Sequence, residues 1–259
     1  MIAGSVIGGY GQAILWTAQG EYVSLCAKEE TKGFYFVFFW TIYMSSQIIG
    51  NAIGGYIITK ANGPVFFIIM FGIMLVAVFG FCFVILPPKQ IHVDLDQMKL
   101  MDTNYKDDSA APPSMLSEMK DTIALICTKK MMYLNMQLLW SGTSIAFWSA
   151  MLIPIMTLEL ADHTDFSENK KTSWALYGMV SFGFGEVIGG YIMGMVIDRC
   201  GSKQGSIKNA IIAATMTATT CVSVRMGKYN YMTYIMTFVW GYLDGAINIH
   251  TFQILGFEF

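Results

Sequence analysis

Charged side chains are scarce in this sequence. Only 13% of its 259 residues are Asp, Glu, Lys or Arg, and 54% are hydrophobic, whereas soluble domains carry about 25% charged residues. This scarcity excludes an ordinary water-soluble surface and indicates that lipid is the surrounding solvent. The net charge of −2, with no basic run interleaved with aromatic residues, also excludes a nucleic-acid partner.

The residues that build metal and catalytic sites are equally few. The sequence has three His, and its five Cys are scattered without C-x-x-C spacing, so neither a zinc site nor a disulfide framework is expected. It contains no nucleophile elbow and no phosphate-binding loop. We therefore expect no enzymatic activity and no cofactor.

Long apolar runs, by contrast, are abundant. A helix needs roughly 20 mostly apolar residues to cross about 30 Å of hydrocarbon. The segments that come close to or exceed this length are 2–20, 34–58, 65–86, 132–157, 174–197, 207–224 and 231–255. They predict an all-α fold, a polytopic transmembrane helix bundle within a lipid bilayer.

One long polar segment, 87–130, separates the first three spans from the last four. It opens with two prolines and is rich in Asp, which is typical of a flexible linker. In its second half, apolar residues at helical spacing predict an amphipathic helix over 114–128 on the membrane surface, with a merely solvated turn as the alternative. The predicted domains are 1–86, 87–130 and 131–259.

The basic residues are distributed unevenly between the two sides of the membrane. Eleven of the 16 Lys and Arg fall in one set of alternate loops, which includes the linker. Because cytosolic loops carry an excess of Lys and Arg, this set should face the cytosol. The N-terminus and the acidic loop 159–173 should then face the opposite side.

Two of the spans resemble each other. Segments 47–58 (QIIGNAIGGYII) and 186–197 (EVIGGYIMGMVI) are identical at five of twelve positions, on helices predicted to run in opposite directions. Such weak similarity is a mark of inverted-repeat transporters, although a shared membrane composition would also produce it.

Small residues at i, i+4 spacing occur on both of these helices. Ser46 and Gly50 form one such face, and Gly185 and Gly189 form the other. Close packing of small faces drives helix association in lipid. We therefore expect Gly50 to contact Gly189.

A short motif near the end of the fifth span resembles a cytoplasmic loop of the major facilitator superfamily. The family pattern is G-x-x-x-D-R-x-G-[RK]-[RK], and the matching segment is Gly194-Met-Val-Ile-Asp198-Arg199-Cys-Gly201-Ser-Lys203. Ser202 departs from the paired basic positions. The resemblance implies that this loop is cytosolic, that its Asp and Arg hold helix ends together and that a Gly occupies the sharp turn.

Three further segments are similar to the ion-channel regulatory branch of that superfamily, the uncoordinated-ninety-three-like proteins. Family motifs G-x-G-A-x-x-L-W-[ST]-x-Q-G-x-Y, Q-x-x-G-N and G-x-G-D-x-x-x-N resemble segments 9–22, 47–51 and 241–248, with Gln12 in place of an Ala and Leu243 in place of a Gly. The resemblance implies helices four to ten of a twelve-helix, major-facilitator-type fold built from inverted repeats. The first three and last two helices would then be absent from this chain.

Polar side chains inside the spans are the candidate functional residues, since a mid-membrane charge costs at least about 2.5–3.5 kcal/mol. They are Trp16, Gln19, Gln47, Asn51, Glu186, Asp244 and Asn248. Glu186 and Asp244 fit a substrate or proton path, or alternatively a hydrogen-bonding role in packing. For Asn248, Gln47 and Asn51 we favour packing, and we interpret His250 as a satisfied helix residue that points away from Asp244.

Three functions fit this sequence. The facilitator-type loop, the repeats and the embedded acids favour a secondary transporter of a small solute or ion. The resemblance alone favours a regulatory or trafficking partner of another membrane protein, such as a channel or receptor. A seven-helix receptor fits the span count, but the long linker follows the third span and no extracellular Cys pair is present.

Overall fold

The computed structural model describes residues 2–26, 32–61, 63–84 and 115–258. All regular secondary structure in these residues is α-helical, which confirms the predicted all-α fold. The helices are α1 (Ile2–Cys26), α2 (Lys32–Lys60), α3 (Gly63–Phe81), α4 (Met115–Ile126), α5 (Lys129–Glu159), α6 (Glu168–Cys200), α7 (Ser202–Met226) and α8 (Tyr231–Glu258). Most of the predicted linker, through residue 114, lies outside the described residues.

Among the described residues, four helices are both long enough and apolar enough to cross a membrane. They are α3, the Leu134–Glu159 part of α5, α6 and α7. The 19 residues of α3 give a length of about 28 Å, and none of them is buried, as expected of a helix surrounded by lipid. The chain is therefore a multi-pass integral membrane protein.

Three further helices are long enough to span a membrane. These are α1, α2 and α8, with 25, 29 and 28 residues. The total of seven spans stays a prediction.

The helices extend beyond most of the predicted spans, because polar residues continue the helical hydrogen bonding. Ser167 caps the start of α6 by accepting a hydrogen bond from the Lys170 amide at 3.3 Å, a typical N-cap contact. Glu159, which the sequence places in an acidic loop, is the last residue of α5 and is only 4% exposed. Helix α4 lies within the predicted amphipathic segment 114–128.

The structure comprises two compact units. One contains Met1–Phe36 and Phe83–Met132, and the other contains Val37–Cys82 and Tyr133–Phe259. The first holds α1 and α4, and the second holds α3, α6, α7, α8 and nearly all of α2 and α5. The predicted domain boundaries at residues 87 and 131 stay a prediction.

Glycines of α6 lie directly against the backbone of α8 in the second unit. A Cβ added to Gly185 would overlap the Phe238 carbonyl, and a Cβ added to Gly189 would overlap the Tyr242 carbonyl. The contacting residues advance in the same direction along α6 and α8, so the two helices run parallel. This face of α6 therefore contacts α8.

Glycines of α8 make the reciprocal contact. A Cβ added to Gly241 would overlap the Phe182 carbonyl, and one added to Gly245 would overlap the Glu186 carbonyl. Each helix thus presents two glycines at i, i+4 spacing to the other, which is the arrangement that allows membrane helices to approach most closely.

Helix α2 packs against α6 in the opposite direction, as predicted for the two similar spans. Gly55 lies beside Tyr177, and Gly183 lies beside Ile48. The Ser173 hydroxyl donates a hydrogen bond to the Gly55 carbonyl at 2.6 Å. These contacts confirm the antiparallel arrangement, while a repeat origin of the two helices stays a prediction.

The predicted contact between Gly50 and Gly189 is wrong. Gly50 is exposed, and nothing described lies within 4 Å of the position of a Cβ there. Helix α2 approaches α6 through Ile48, and residues two positions apart on a helix point to different faces. The face formed by Ser46 and Gly50 is therefore turned away from α6, and Gly189 packs against α8 instead.

Candidate functional site

Asp244 lies near the middle of α8 and is only 6% exposed. Its Oδ1 accepts a hydrogen bond from Trp148 Nε1 of α5 at 3.2 Å, and its Oδ2 accepts one from Asn248 Nδ2 at 3.0 Å. The Trp148 indole is in turn packed on Phe182 of α6, with ring centroids 4.6 Å apart. Both oxygens of Asp244 are thus held by donors, as suits a carboxylate.

Glu186 faces Asp244 from the middle of α6 and is 3% exposed. The two carboxyl groups, here called the acid pair, are close enough to interact as hydrogen-bond partners. The phenol of Tyr43 on α2 is within electrostatic range of both. The predicted candidates Glu186, Asp244 and Asn248 are therefore brought together where α2, α5, α6 and α8 meet.

The acid pair lacks compensating positive charge. Within the described segments, no Lys or Arg forms an ion pair with Glu186 or Asp244, and the ion pair that is present joins Lys171 and Glu168 at the start of α6. No N–H or O–H group of these segments donates to Oε2 of Glu186, although that atom is buried. Buried charge without a partner is costly, so the pair is an unusual feature for a purely structural contact.

A second polar cluster surrounds His250, whose side chain is fully buried. Nδ1 of His250 lies 3.2 Å from Asn209 Nδ2 and 3.4 Å from Gln137 Nε2, and Nε2 lies 2.9 Å from Ser202 Oγ. Gln137 also donates to the Thr251 hydroxyl at 2.8 Å. With the amides oriented this way, Nδ1 accepts and Nε2–H donates to Ser202, so the neutral ring joins α5, α7 and α8.

A third cluster is centred on the Glu159 carboxylate at the end of α5. Its two oxygens accept hydrogen bonds from the Ser223 and Thr233 hydroxyls, each at 2.6 Å, and its backbone carbonyl accepts from the Tyr229 amide at 3.0 Å. Burial, together with the hydrogen bond to Tyr234, raises the pKa of the Tyr229 phenol. This Glu159 cluster ties the last turn of α7 to the first turn of α8.

In the facilitator-type loop, Gly201 lies between the end of α6 at Cys200 and the start of α7 at Ser202. That glycine has a φ of 81°, in the region that side chains disfavour, which confirms the predicted sharp turn. Asp198 and Arg199 are exposed, and neither forms an ion pair with another described residue. Their implied role in holding helix ends stays a prediction, as do the roles of buried Gly194 and exposed Lys203.

Comparison with protein families decides which family this membrane protein represents. Residues 1–242 match the family model described as ion channel regulatory protein UNC-93. The chain belongs to the UNC-93 family.

Two curated relatives of this UNC-93 family chain are named UNC93-like protein MFSD11, one from Xenopus tropicalis and one from Xenopus laevis. Each is 25% identical over 201 residues, a match that covers 74% of this chain and 44% of the relative. The chain therefore spans less than half the length of these relatives. A comparison with solved structures finds no match.

The remaining predicted residues of this UNC-93 family chain have separate surroundings. Asn51 Nδ2 donates to the Gln47 carbonyl at 2.7 Å and lies 3.4 Å from Gln47 Oε1, which fits the packing interpretation. Trp16 and Gln19 lie on α1, in the first unit. The amide of Gln19 is buried there without a hydrogen-bond partner among the described residues.

Several residues of the clusters were not identified from the sequence. Gln137 and Asn209 are amides inside predicted apolar spans, and such residues commonly hydrogen-bond across membrane helices, so a signal for the His250 cluster was present. Trp148 gave no such signal, because Trp is common in membrane helices near the lipid interface. Ser202, noted only as a departure from the facilitator motif, proves to contact His250.

Proposed function

We propose that the protein is a secondary transporter of a small solute, with a path that passes the acid pair between α6 and α8. The observation that carries this proposal is the pair itself, two buried carboxyls near the middle of neighbouring membrane helices without a basic partner among the described residues. Intramembrane acids are expensive and usually mark substrate, ion or proton paths. Major-facilitator-type architecture of the family is consistent with this function.

A purely structural role in helix packing would explain only one member of the acid pair. Asp244 has two donors and would fit such a role, since Trp148 and Asn248 connect it to α5 and to the next turn of α8. Glu186 does not fit, because the described residues offer its buried Oε2 no donor. A helix-packing residue with these surroundings would be better replaced by an apolar one.

Reconstituted uptake tests the proposal. Proteoliposomes would be assayed with a panel of radiolabelled amino acids, sugars, nucleosides and organic amines, using wild type, Glu186→Gln, Asp244→Asn and the control Glu168→Gln. Glu168 lies on the same helix but is 81% exposed, so its variant should keep wild-type uptake while both acid-pair variants lose it. Absence of uptake of every solute by wild type would reject transport, and full uptake by both acid-pair variants would reject the path.

A regulatory role is the second candidate, and the description of the matching family favours it. In that case the protein would bind another membrane protein, such as a channel or receptor, and alter its activity or trafficking. Crosslinking in native membranes followed by affinity purification would recover a stable partner at defined stoichiometry. Recovery of the protein alone would count against this role.

A further inference from the structure

The two members of the acid pair have different surroundings, and the difference points to different tasks. Both oxygens of Asp244 accept hydrogen bonds, from Trp148 and Asn248, which hold this group in its ionised, accepting form. Glu186 has a buried oxygen that no described group donates to. Its carboxyl can instead gain a proton and donate to Asp244, with which it interacts directly.

The composition of the site selects the ligand that it can take. Mg²⁺ and Ca²⁺ require about six or more oxygen ligands, and the described residues contain no group of three or more acidic, His or Cys side chains that could hold a metal ion. A proton needs neither a cavity nor further ligands. It also removes the repulsion between two carboxylates that face each other in a buried site.

We infer that the acid pair is a proton-binding site in which Glu186 takes up and releases the proton while Asp244 remains the fixed acceptor. The exchange is one proton between water and the Glu186 carboxylate, and no other bond forms or breaks. The titratable groups that face Glu186 from the described helices are Asp244 of α8 and Tyr43 of α2, whereas α5 contributes the indole of Trp148, which does not titrate. Coupling of this proton to solute movement rests on the proposed transporter function, but proton binding itself does not.

Infrared spectroscopy of the full chain in detergent tests proton binding without any solute. The carbonyl stretch of a protonated carboxyl would be followed through a titration from acidic to alkaline buffer. We expect wild type, Asp244→Asn and Glu168→Gln to show a buried protonated carboxyl, and Glu186→Gln to lack it. Glu186→Asp, which keeps a carboxyl on a shorter side chain, should retain the band at a shifted frequency. Elution as a single sharp peak in size-exclusion chromatography would confirm that each variant is folded.

Each other result overturns a stated part of the inference. A wild-type spectrum without the band, or a band that persists in Glu186→Gln, would reject Glu186 as the proton carrier. A band lost in Asp244→Asn but kept in Glu186→Gln would reverse the two roles. If the band follows Glu186 while no solute is taken up by proteoliposomes, the proton site stands and the proposed transport fails. If the wild-type protein takes up solute at a rate that a pH gradient does not change, and its spectrum lacks the protonated-carboxyl band, the proton site is rejected while the proposed transport stands.

Discussion

The substitution Gly189→Ala should destabilise the protein, whereas Gly50→Ala should not. Both glycines belong to faces of small residues at i, i+4 spacing, and the sequence alone predicts that they touch each other. The structure separates them, because Gly189 lies against the backbone of Tyr242 and Gly50 has nothing described within 4 Å. The two substitutions add the same methyl group to the same kind of helix, so their difference reports the packing at each site.

The magnitude follows from the distances at Gly189. A Cβ there would lie 2.8 Å from both the carbonyl carbon and the Cα of Tyr242, whereas carbon atoms pack best at about 3.5–4.0 Å. Helices α6 and α8 would therefore have to separate by about 1 Å. Overpacking of this kind costs about 1–3 kcal/mol, and backbone atoms cannot relieve it by changing rotamer. At Gly50 the helix propensity of Ala leaves stability unchanged or raises it by up to about 1 kcal/mol.

Thermal unfolding in detergent measures the difference. For a chain of this length, 1 kcal/mol shifts the apparent melting temperature by about 2–4 °C, so Gly189→Ala should melt several degrees below wild type and Gly50→Ala at or above it. Gly245→Ala should behave like Gly189→Ala, and the double variant should lose less than the sum, because one added methyl already separates the helices. Equal destabilisation by Gly50→Ala and Gly189→Ala would refute the packing described here and restore the contact predicted from the sequence.

Substitutions at two further residues test the other polar clusters with the same unfolding assay. Glu159→Ala should lower stability by about 3–6 kcal/mol, because two hydroxyl donors lose a charged acceptor and each such bond contributes about 1.5–3 kcal/mol. Glu159→Gln keeps one acceptor oxygen and should lose less. A melting temperature of Glu159→Ala equal to that of wild type would show that the carboxylate is unimportant. His250→Phe should cost about 1–3 kcal/mol despite its similar volume, because the Asn209 and Gln137 amides lose their shared buried acceptor, and a melting temperature equal to that of wild type would contradict the cluster.

The positions of the membrane helices were predictable because the solvent imposes them. Each long apolar run had to form a helix, since lipid offers no partners for an unpaired backbone. The helix ends were less predictable, because they are set by polar contacts outside the apolar runs. Ser167 extends α6 by capping it, and Glu159 stays helical because Ser223 and Thr233 bind its carboxylate.

The candidate site was predictable only where its partners are near in sequence. Asp244 and Asn248 are one helical turn apart, and Asn248 donates a hydrogen bond to Asp244. Trp148 lies 96 residues from Asp244 along the chain, and only the packing of α5 against α8 brings them together. A stripe of glycines likewise indicates that another backbone approaches, but it does not identify which one. For this reason the predicted partner of Gly189 was wrong.

The close approach of α6 and α8 and the position of the acid pair are consequences of the same contact. Gly245 lies against the backbone carbonyl of Glu186, and the residue before that glycine is Asp244. Because this glycine fixes the level at which the two helices meet, it also fixes the two carboxyls opposite each other. An alanine at position 245 should therefore disturb proton binding at Glu186 as well as stability. An alanine at Gly241, one turn away, should affect stability more than the proton, since its contact is with Phe182. If Gly245→Ala and Gly241→Ala lose the same stability but Gly245→Ala loses more of the carboxyl band, the register of these helices, rather than their stability alone, holds the acid pair together.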